Sequence, residues 1–274
     1  DHTLKVWDLA TGAEERTLAE FPRRVWAVAV TPDGRRAVSA SDDDTLKVWD
    51  LATGAEKFIL GAEERTLAEF PRRVWAVAVT PDGRRAVSAS EDHTLKVWDL
   101  ATGAEERTLR GHASWVYAVA VTPDGRQAVS ASRDHTLKVW DLATGAEEHT
   151  LRGHSNGVRA VAVTPDGRQA VSASADHTLK VWDLATGAEE RTLRGHAQGV
   201  MAVAVTPDGR RAVSASNDHT LKVWDLATGQ ELASITLDGP LSCVAVAQDG
   251  VTIVTGDGAG GVYCLRYVAG DKAG

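Results

Sequence analysis

Along nearly the whole chain, apolar stretches of five or six residues alternate with turn signals, and no stretch keeps a helical period. The segment from Val116 to Val121 is a β-branched run ended by Thr122-Pro123-Asp124-Gly125. Proline presets the first turn torsion and glycine accepts positive φ, so the chain is predicted to reverse there. Ala128 to Ser132 predicts a second strand and Thr136 to Asp141 a third. Glu147 to Leu151 predicts a fourth after the turn at Ala143-Thr144-Gly145. Each such unit reads as a four-stranded antiparallel meander.

The unit recurs. The sequence KVWDLATG places its tryptophan at Trp7, Trp49, Trp98, Trp140, Trp182 and Trp224, at intervals of 42, 49, 42, 42 and 42 residues. The longer interval holds seven extra residues, Lys57 to Glu63 or an equivalent cut, within a duplicate in which Gly12 to Ser41 reappears as Gly61 to Ser90. Such an insertion is expected in a surface turn, since a strand position would shift the register. A lone four-stranded sheet of this kind is apolar on both faces and cannot bury them alone. Radial stacking does so, which predicts an all-β propeller of about four to eight blades.

The succession of Gly-His, VAVTPDG, SAS-x-D and KVWD resembles the WD-repeat family over essentially the whole chain. That resemblance implies a hydrogen-bonded tetrad in each blade: His112, Ser130, Asp134 and Trp140; His154, Ser172, Asp176 and Trp182; His196, Ser214, Asp218 and Trp224. Phe21 and Phe70 stand at the histidine position of two earlier units. Those units keep Ser39, Asp43 and Trp49, and Ser88, Asp92 and Trp98. The last unit keeps Thr255 alone, with Ala259 and Leu265 at the aspartate and tryptophan positions, so these three blades are expected to rely more on packing.

First strands begin at Val25, Val74, Val116, Val158, Val200 and near Leu241, preceded by a third and fourth strand at Thr3 to Asp8 and Glu14 to Leu18. Second and third strands at Thr252 to Thr255 and Val262 to Tyr267 end the array. Two readings follow. The favoured one is a seven-bladed propeller with an incomplete first blade; the alternative is a six-bladed ring closed by the N-terminal strand. Residues 1–274 are expected to form a single propeller domain, and a start in mid-repeat is expected of a fragment of a longer chain.

Acidic residues outnumber basic ones by 38 to 30, and a net charge of −8 repels a phosphate backbone, which argues against nucleic acid as a partner. No apolar run approaches the roughly 18 residues needed to span a bilayer. The opening residues Asp1 to Lys5 do not resemble a signal peptide. A cytoplasmic protein with no membrane partner is the expectation. Cys243 and Cys264 fall on next-but-one strands of one blade, nearly 10 Å apart and beyond disulfide reach, so free, buried thiols are expected.

Candidate chemistry has to be weighed against the repeat. Recurring Ser, His and Asp suggest a hydrolase triad, yet a catalytic site needs one copy, and the recurrence beside a strand tryptophan favours a structural role. The run Gly256-Asp257-Gly258-Ala259-Gly260-Gly261 lacks the following helix that a phosphate loop needs, so a turn is expected. Asp42-Asp43-Asp44 in a tight turn lack further ligands for calcium. His93, His135, His177 and His219 occur once per unit, too far apart to share a metal, and read as turn residues. No enzyme activity, cofactor or metal is expected.

The repeats differ in three places. Arg24, Arg73, Trp115, Gly157 and Gly199 precede the first strand; Trp26, Trp75, Tyr117, Arg159 and Met201 stand at its second position; Asp42, Glu91, Arg133, Ala175 and Asn217 follow the second strand. All three sets fall at one end of the blade, because the entry to the first strand and the exit of the second adjoin in a hairpin. The family resemblance implies partner binding at that end. Trp26, Trp75, Trp115 and Tyr117 are the expected anchors, with Arg23, Arg24, Arg72, Arg73, Arg133 and Arg159 beside them, since tryptophan, tyrosine and arginine dominate interface hot spots. The alternative places Trp26 and Trp75 as wedges between blades. The expected function is a non-catalytic scaffold or recognition domain for a protein or peptide partner, resembling the propellers of bacterial multidomain signalling proteins; small-ligand or glycan binding in a central channel is the alternative.

Overall fold

The computed structural model describes residues 3–8, 11–20, 23–41, 45–60 and 73–268. Strands and turns account for these residues, with no helix among them. The first sheet is a hairpin of β1 (Thr3–Trp7) and β2 (Glu14–Glu20). Five four-stranded antiparallel sheets follow in chain order. The first comprises β3 (Val25–Val30), β4 (Arg36–Ser41), β5 (Leu46–Asp50) and β6 (Glu56–Leu60); the second β7 (Val74–Val79), β8 (Arg85–Ser90), β9 (Thr94–Asp99) and β10 (Glu105–Arg110). The third holds β11 (Val116–Val121), β12 (Gln127–Ser132), β13 (Leu137–Asp141) and β14 (Glu147–Leu151); the fourth β15 (Val158–Val163), β16 (Gln169–Ser174), β17 (Thr178–Asp183) and β18 (Glu189–Arg194). The fifth is built from β19 (Val200–Val205), β20 (Arg211–Ser216), β21 (Thr220–Asp225) and β22 (Glu231–Thr236). A three-stranded sheet of β23 (Leu241–Val246), β24 (Thr252–Asp257) and β25 (Val262–Arg266) ends the array. These meanders are the blades of a β-propeller, and the strands fall where the alternation and the turn residues predict.

The turn chemistry explains the regularity. In each Thr-Pro-Asp-Gly turn the threonine hydroxyl donates to the aspartate, as Thr164 does to Asp166 at 2.6 Å, and the aspartate also accepts the amide of Arg168 at 3.0 Å. Gly167 takes φ 72°, which a Cβ would disfavour. Each Trp-Asp-Leu-Ala-Thr-Gly turn is closed likewise by its aspartate; Asp183 accepts from the Thr186 amide and hydroxyl, both at 2.7 Å.

Two compact units emerge: Asp1–Ser132 with Lys138–Glu148, and Arg133–Leu137 with His149–Gly274. Within each, a sheet buries its apolar face on the first strand of the next. In the first unit Val87, Ala89, Leu95, Val97 and Leu109 meet Val116, Val119, Ala128, Trp140 and Leu142. In the second, Val171, Ala173, Leu179, Val181 and Leu193 meet Val200, Val203, Ala212, Trp224 and Leu226. Within each unit the repeat therefore buries a fresh face on the next sheet, as a stack of individually insufficient sheets requires.

Two expectations need correction. Cys243 and Cys264 are free but exposed, not buried. They share the outer face of the last sheet, where nothing repeats the cover given to earlier sheets: Val262, in the register position of Leu221, is 75% exposed against 3%. A cut that begins at Lys57 does not lie in a turn, because Lys57 to Leu60 lie in β6, paired with β5 from Trp49↔Glu56 to Leu46↔Leu60. Phe58 and Ile59 are themselves strand formers, and Gly61 to Glu63 lie outside the described residues.

Candidate functional site

Each of the five four-stranded sheets joins its second and third strands by the same buried bond. The tryptophan Nε1 donates to the serine Oγ at 2.9 Å for Trp49 and Ser39, Trp98 and Ser88, and Trp140 and Ser130. The distance is 2.8 Å for Trp182 and Ser172, and for Trp224 and Ser214. His112, His154 and His196 each place Nε2 at 2.7 Å from the serine Oγ. His154 Nδ1 lies 2.7 Å from Asp176 Oδ2, and His196 Nδ1 lies 2.9 Å from Asp218 Oδ2. Asp134 accepts from the Thr136 amide at 3.0 Å and hydroxyl at 2.6 Å, and Asp92 holds Thr94 in the same manner. Phe21, Phe70 and Asp43 lie outside the described residues. In the last sheet the Thr255 hydroxyl turns to the Cys243 carbonyl at 2.7 Å.

Electrostatics fits a structural cluster. Burial pushes the Asp218 carboxyl up, but donation from Thr220, the Ala197 amide and His196 outweighs it and holds the group far below the usual carboxylate range. Asp176 is held down likewise against burial, first by His154 and then by Thr178 and the Ser155 amide. Burial dominates at His196 and lowers its pKa despite Asp218. A neutral His196 with its proton on Nδ1 donates to Asp218 and leaves Nε2 to accept from Ser214. The serines Ser130, Ser172 and Ser214 are 0% exposed, so no substrate carbonyl reaches them, and the arrangement works as a clamp and not as a nucleophile.

The second positions of the first strands have a property that alternation alone does not predict. In every first strand the ladder slips by one residue there: Val74 pairs with Ser90 and Ala76 with Ala89, leaving Trp75 as a bulge. Trp26, Tyr117, Arg159 and Met201 are the bulge residues of their sheets. A bulge frees its residue from the ladder and re-aims its side chain. The signal lies in the sequence Val-x-Ala-Val-Ala-Val, whose first two valines are three apart where a regular strand would space them by two.

In the first unit the bulge residues of three successive sheets meet. Trp26 and Trp75 have ring centroids 4.9 Å apart, Trp75 and Tyr117 pack edge-on at 5.7 Å, and Trp115 lies 6.3 Å from both Trp75 and Tyr117. The Arg73 guanidinium sits 5.7 Å from the Trp75 ring. Trp26 is 39% exposed, Trp75, Trp115 and Tyr117 are half-buried, and Arg23, Arg24 and Arg73 are exposed. Glu91 donates its amide to the Arg73 carbonyl at 2.8 Å and accepts the Arg73 amide at 3.4 Å. The Trp75 Nε1 is buried with no hydrogen-bond partner among the described residues. Asp42 and Arg72 lie outside them.

In the second unit Arg133 is exposed, and Arg159, Met201 and Asn217 are half-buried. Gly157 stands so close that a Cβ there would lie 3.4 Å from the Arg133 Cα, and Gly199 makes the same approach to Ala175. The Asn217 amide donates to the Gly199 carbonyl at 3.0 Å. These hydrogen bonds tie the entry of each first strand to the exit of the second, as the hairpin argument requires.

The remaining candidates resolve as turns. Asp257 accepts the amides of Ala259 at 2.9 Å and Gly261 at 2.7 Å, and the Tyr263 hydroxyl at 3.0 Å, so the glycine-rich loop directs its amides to its own carboxylate. His93, His135, His177 and His219 take φ between 68° and 72°, the left-handed turn conformation that histidine tolerates better than a β-branched residue. Among the described residues, no group of three His, Cys, Asp or Glu side chains converges to hold a metal.

Blades of four antiparallel strands, pinned by a Trp-Ser-His-Asp cluster and stacked face on first strand, define the class as a repeat β-propeller. The family model described as WD domain, G-beta repeat, matches residues 12–50, 63–99, 103–141, 145–183 and 187–225, and the chain belongs to that family. No curated protein matches the sequence.

Proposed function

We propose that the protein is a non-catalytic recognition scaffold that binds a protein or peptide partner through the end of the blades carrying the bulge residues. WD-repeat propellers generally act in protein interaction. The observation that supports this surface is the cluster of Trp26, Trp75, Trp115 and Tyr117 at the end of the blade where near-identical repeats diverge. A scaffold alone has no need of such divergence, since the slipped ladder recurs in each first strand and the Trp-Ser bond in each four-stranded sheet. Arg24 and Arg73 supply charge beside the aromatic anchors, and Glu91 fixes the Arg73 backbone. Arg133, Arg159, Met201 and Asn217 give the second unit its own set of divergent side chains. Asp42 belongs to this proposal by its place in the repeat. We place the protein in the cytoplasm, in a signalling context such as that of bacterial multidomain proteins.

Affinity capture with the propeller as bait tests the reading. Wild type is expected to retain a defined set of proteins that Trp115→Ala with Tyr117→Ala loses, while the double variant keeps the far-ultraviolet spectrum of the parent. Capture unchanged by the substitutions would remove the aromatic cluster from the binding surface.

A further inference from the structure

The end of the blades that carries the bulge residues differs in charge from the rest of the chain. Its three variable sets hold four arginines, Arg24, Arg73, Arg133 and Arg159, against the carboxylates Asp42 and Glu91, in a chain whose acidic residues outnumber basic ones by 38 to 30. In the first unit Arg23, Arg24 and Arg73 are exposed, and the Arg73 guanidinium stands 5.7 Å from the Trp75 ring. Glu91 is half-buried and turns to the Arg73 amide. An approaching segment therefore meets positive charge beside aromatic rings, which favours a partner bearing carboxylates and disfavours a cationic one.

The rings decide how such a segment lies. The centroids of Trp26, Trp75, Trp115 and Tyr117 are spaced by 4.9 Å to 6.3 Å from ring to neighbouring ring, the separation of rings in direct contact, so no knob or ammonium group enters between them. A guest lies across their faces instead. Main-chain pairing is unfavourable as well, because the end strands β3, β7 and β11 each slip at the second residue, and a bulge breaks the regular row of amides and carbonyls on which an added strand depends. A polyproline II helix needs no such row. It has no internal hydrogen bonds to preserve, it is stiff before binding, and its proline rings dock on aromatic faces.

We propose that the aromatic cluster of the first unit binds an acidic, proline-rich segment of a partner protein in the polyproline II conformation, with prolines on the rings and carboxylates on Arg23, Arg24 and Arg73. This rests on the reading above that this end of the blades binds a partner, and adds the partner's chemistry. Arg24 lies two residues before Trp26 and Arg73 two before Trp75, so a charged row runs beside an apolar row from one sheet to the next. In the third sheet Trp115 takes the arginine's place, and the patch ends apolar. A polyproline II helix has three residues per turn, so a carboxylate at every third position lines one edge and prolines fill the other two, which matches rings bordered by arginines.

A fluorescein-labelled peptide of repeated Glu-Pro-Pro triplets is the probe. Fluorescence anisotropy is expected to show saturable binding to the full chain that weakens as sodium chloride is raised. Three changes are each expected to weaken it about tenfold or more: lysine for every glutamate of the peptide, glycine-serine for every proline pair, and Trp26→Ala in the protein. Arg24→Glu with Arg73→Glu, at exposed positions, is expected to do the same, and it stands in for Trp26→Ala should that variant lose the parent's circular dichroism. Absence of saturable binding overturns the proposal. A lysine peptide that binds as well as the acidic one overturns it because charge is not read, and a glycine-serine peptide that does so overturns it because the proline helix is not. Should Trp115→Ala with Tyr117→Ala abolish capture while the triplet peptide does not bind, the partner class falls and the surface stands. Capture unaffected by those substitutions, together with no peptide binding, removes both.

Discussion

Replacing Ser172 by alanine is the sharpest probe of what the clamp contributes. The Ser172 Oγ accepts the Trp182 Nε1 proton at 2.8 Å and meets His154 Nε2 at 2.7 Å, with both partners sealed from water. Alanine leaves two buried polar atoms unsatisfied, each costing about 1–3 kcal/mol, so Ser172→Ala is expected to destabilise by roughly 2–6 kcal/mol. Ser39 provides the internal control. It accepts Trp49 Nε1 at 2.9 Å in a repeat where Phe21 replaces the histidine, so Ser39→Ala orphans one atom and is expected to cost about 1–3 kcal/mol.

A double-mutant cycle isolates the histidine share. His154→Phe copies what the sequence already does at positions 21 and 70, and Asp176 retains the Ser155 and Thr178 amides, both at 3.0 Å. In that background Ser172→Ala should lose only the tryptophan bond, giving a coupling of about 1–2 kcal/mol. Urea unfolding followed by tryptophan fluorescence measures all four corners. Equal costs for Ser172→Ala and Ser39→Ala, or a coupling below about 0.5 kcal/mol, would refute the view that the imidazole shares the serine.

Acidification should destabilise the protein in two windows. His196 has its pKa lowered on folding, so its share of stability is complete above the ordinary value of 6.5 and is lost as pH falls below it; Asp176 and Asp218 act in the same sense, from 3.8 downward through their depressed folded values. Thermal melts across pH 8 to 3 should record both, and His196→Phe should flatten the upper one; an unchanged upper slope would exclude His196 as its source. Leu221→Ala should cost about 2–5 kcal/mol whereas Val262→Ala, in the same register position but exposed, should change stability by less than about 0.5 kcal/mol, a contrast that denaturant midpoints would reveal. At φ 70°, His177→Val should destabilise by about 1–2 kcal/mol while His177→Gly is neutral or mildly stabilising; equal melting temperatures would deny the strain. Met201→Arg, which copies Arg159 at the bulge, should leave the melting temperature nearly unchanged, whereas Val203→Arg should unfold the junction, because Val203 is in the ladder and buried.

Much of this architecture was legible because its determinants are local. Alternation fixes the strands, Thr-Pro-Asp-Gly and Ala-Thr-Gly fix the reversals, and constant spacing fixes Ser172 beside Trp182 and His154. The bulge at Trp75 was less visible, since its only trace is the spacing of Val74 and Val77, and a β-branched run hides that slip. The exposure of Cys243 and Cys264 was misread because both faces of every sheet were assumed to be covered, which fails where the repeat ends. The meeting of Trp26, Trp75 and Tyr117 depends on sheet-to-sheet packing, which no single repeat encodes.

Why a chain this uniform varies where it does follows from the ladder. A residue such as Val203 pairs with Ser214 and packs on a neighbouring sheet, so its size and polarity are fixed twice. The bulge residue two positions before it, Met201, lies outside the register of the ladder. Substitution there leaves the strand pairing, the turn and the Trp-Ser-His-Asp clamp untouched. Tryptophan, tyrosine, arginine and methionine all occupy this position, side chains that share neither shape nor charge and would not replace one another at a core site. The same slip that interrupts each ladder thus separates what holds the blades together from what is free to meet a partner.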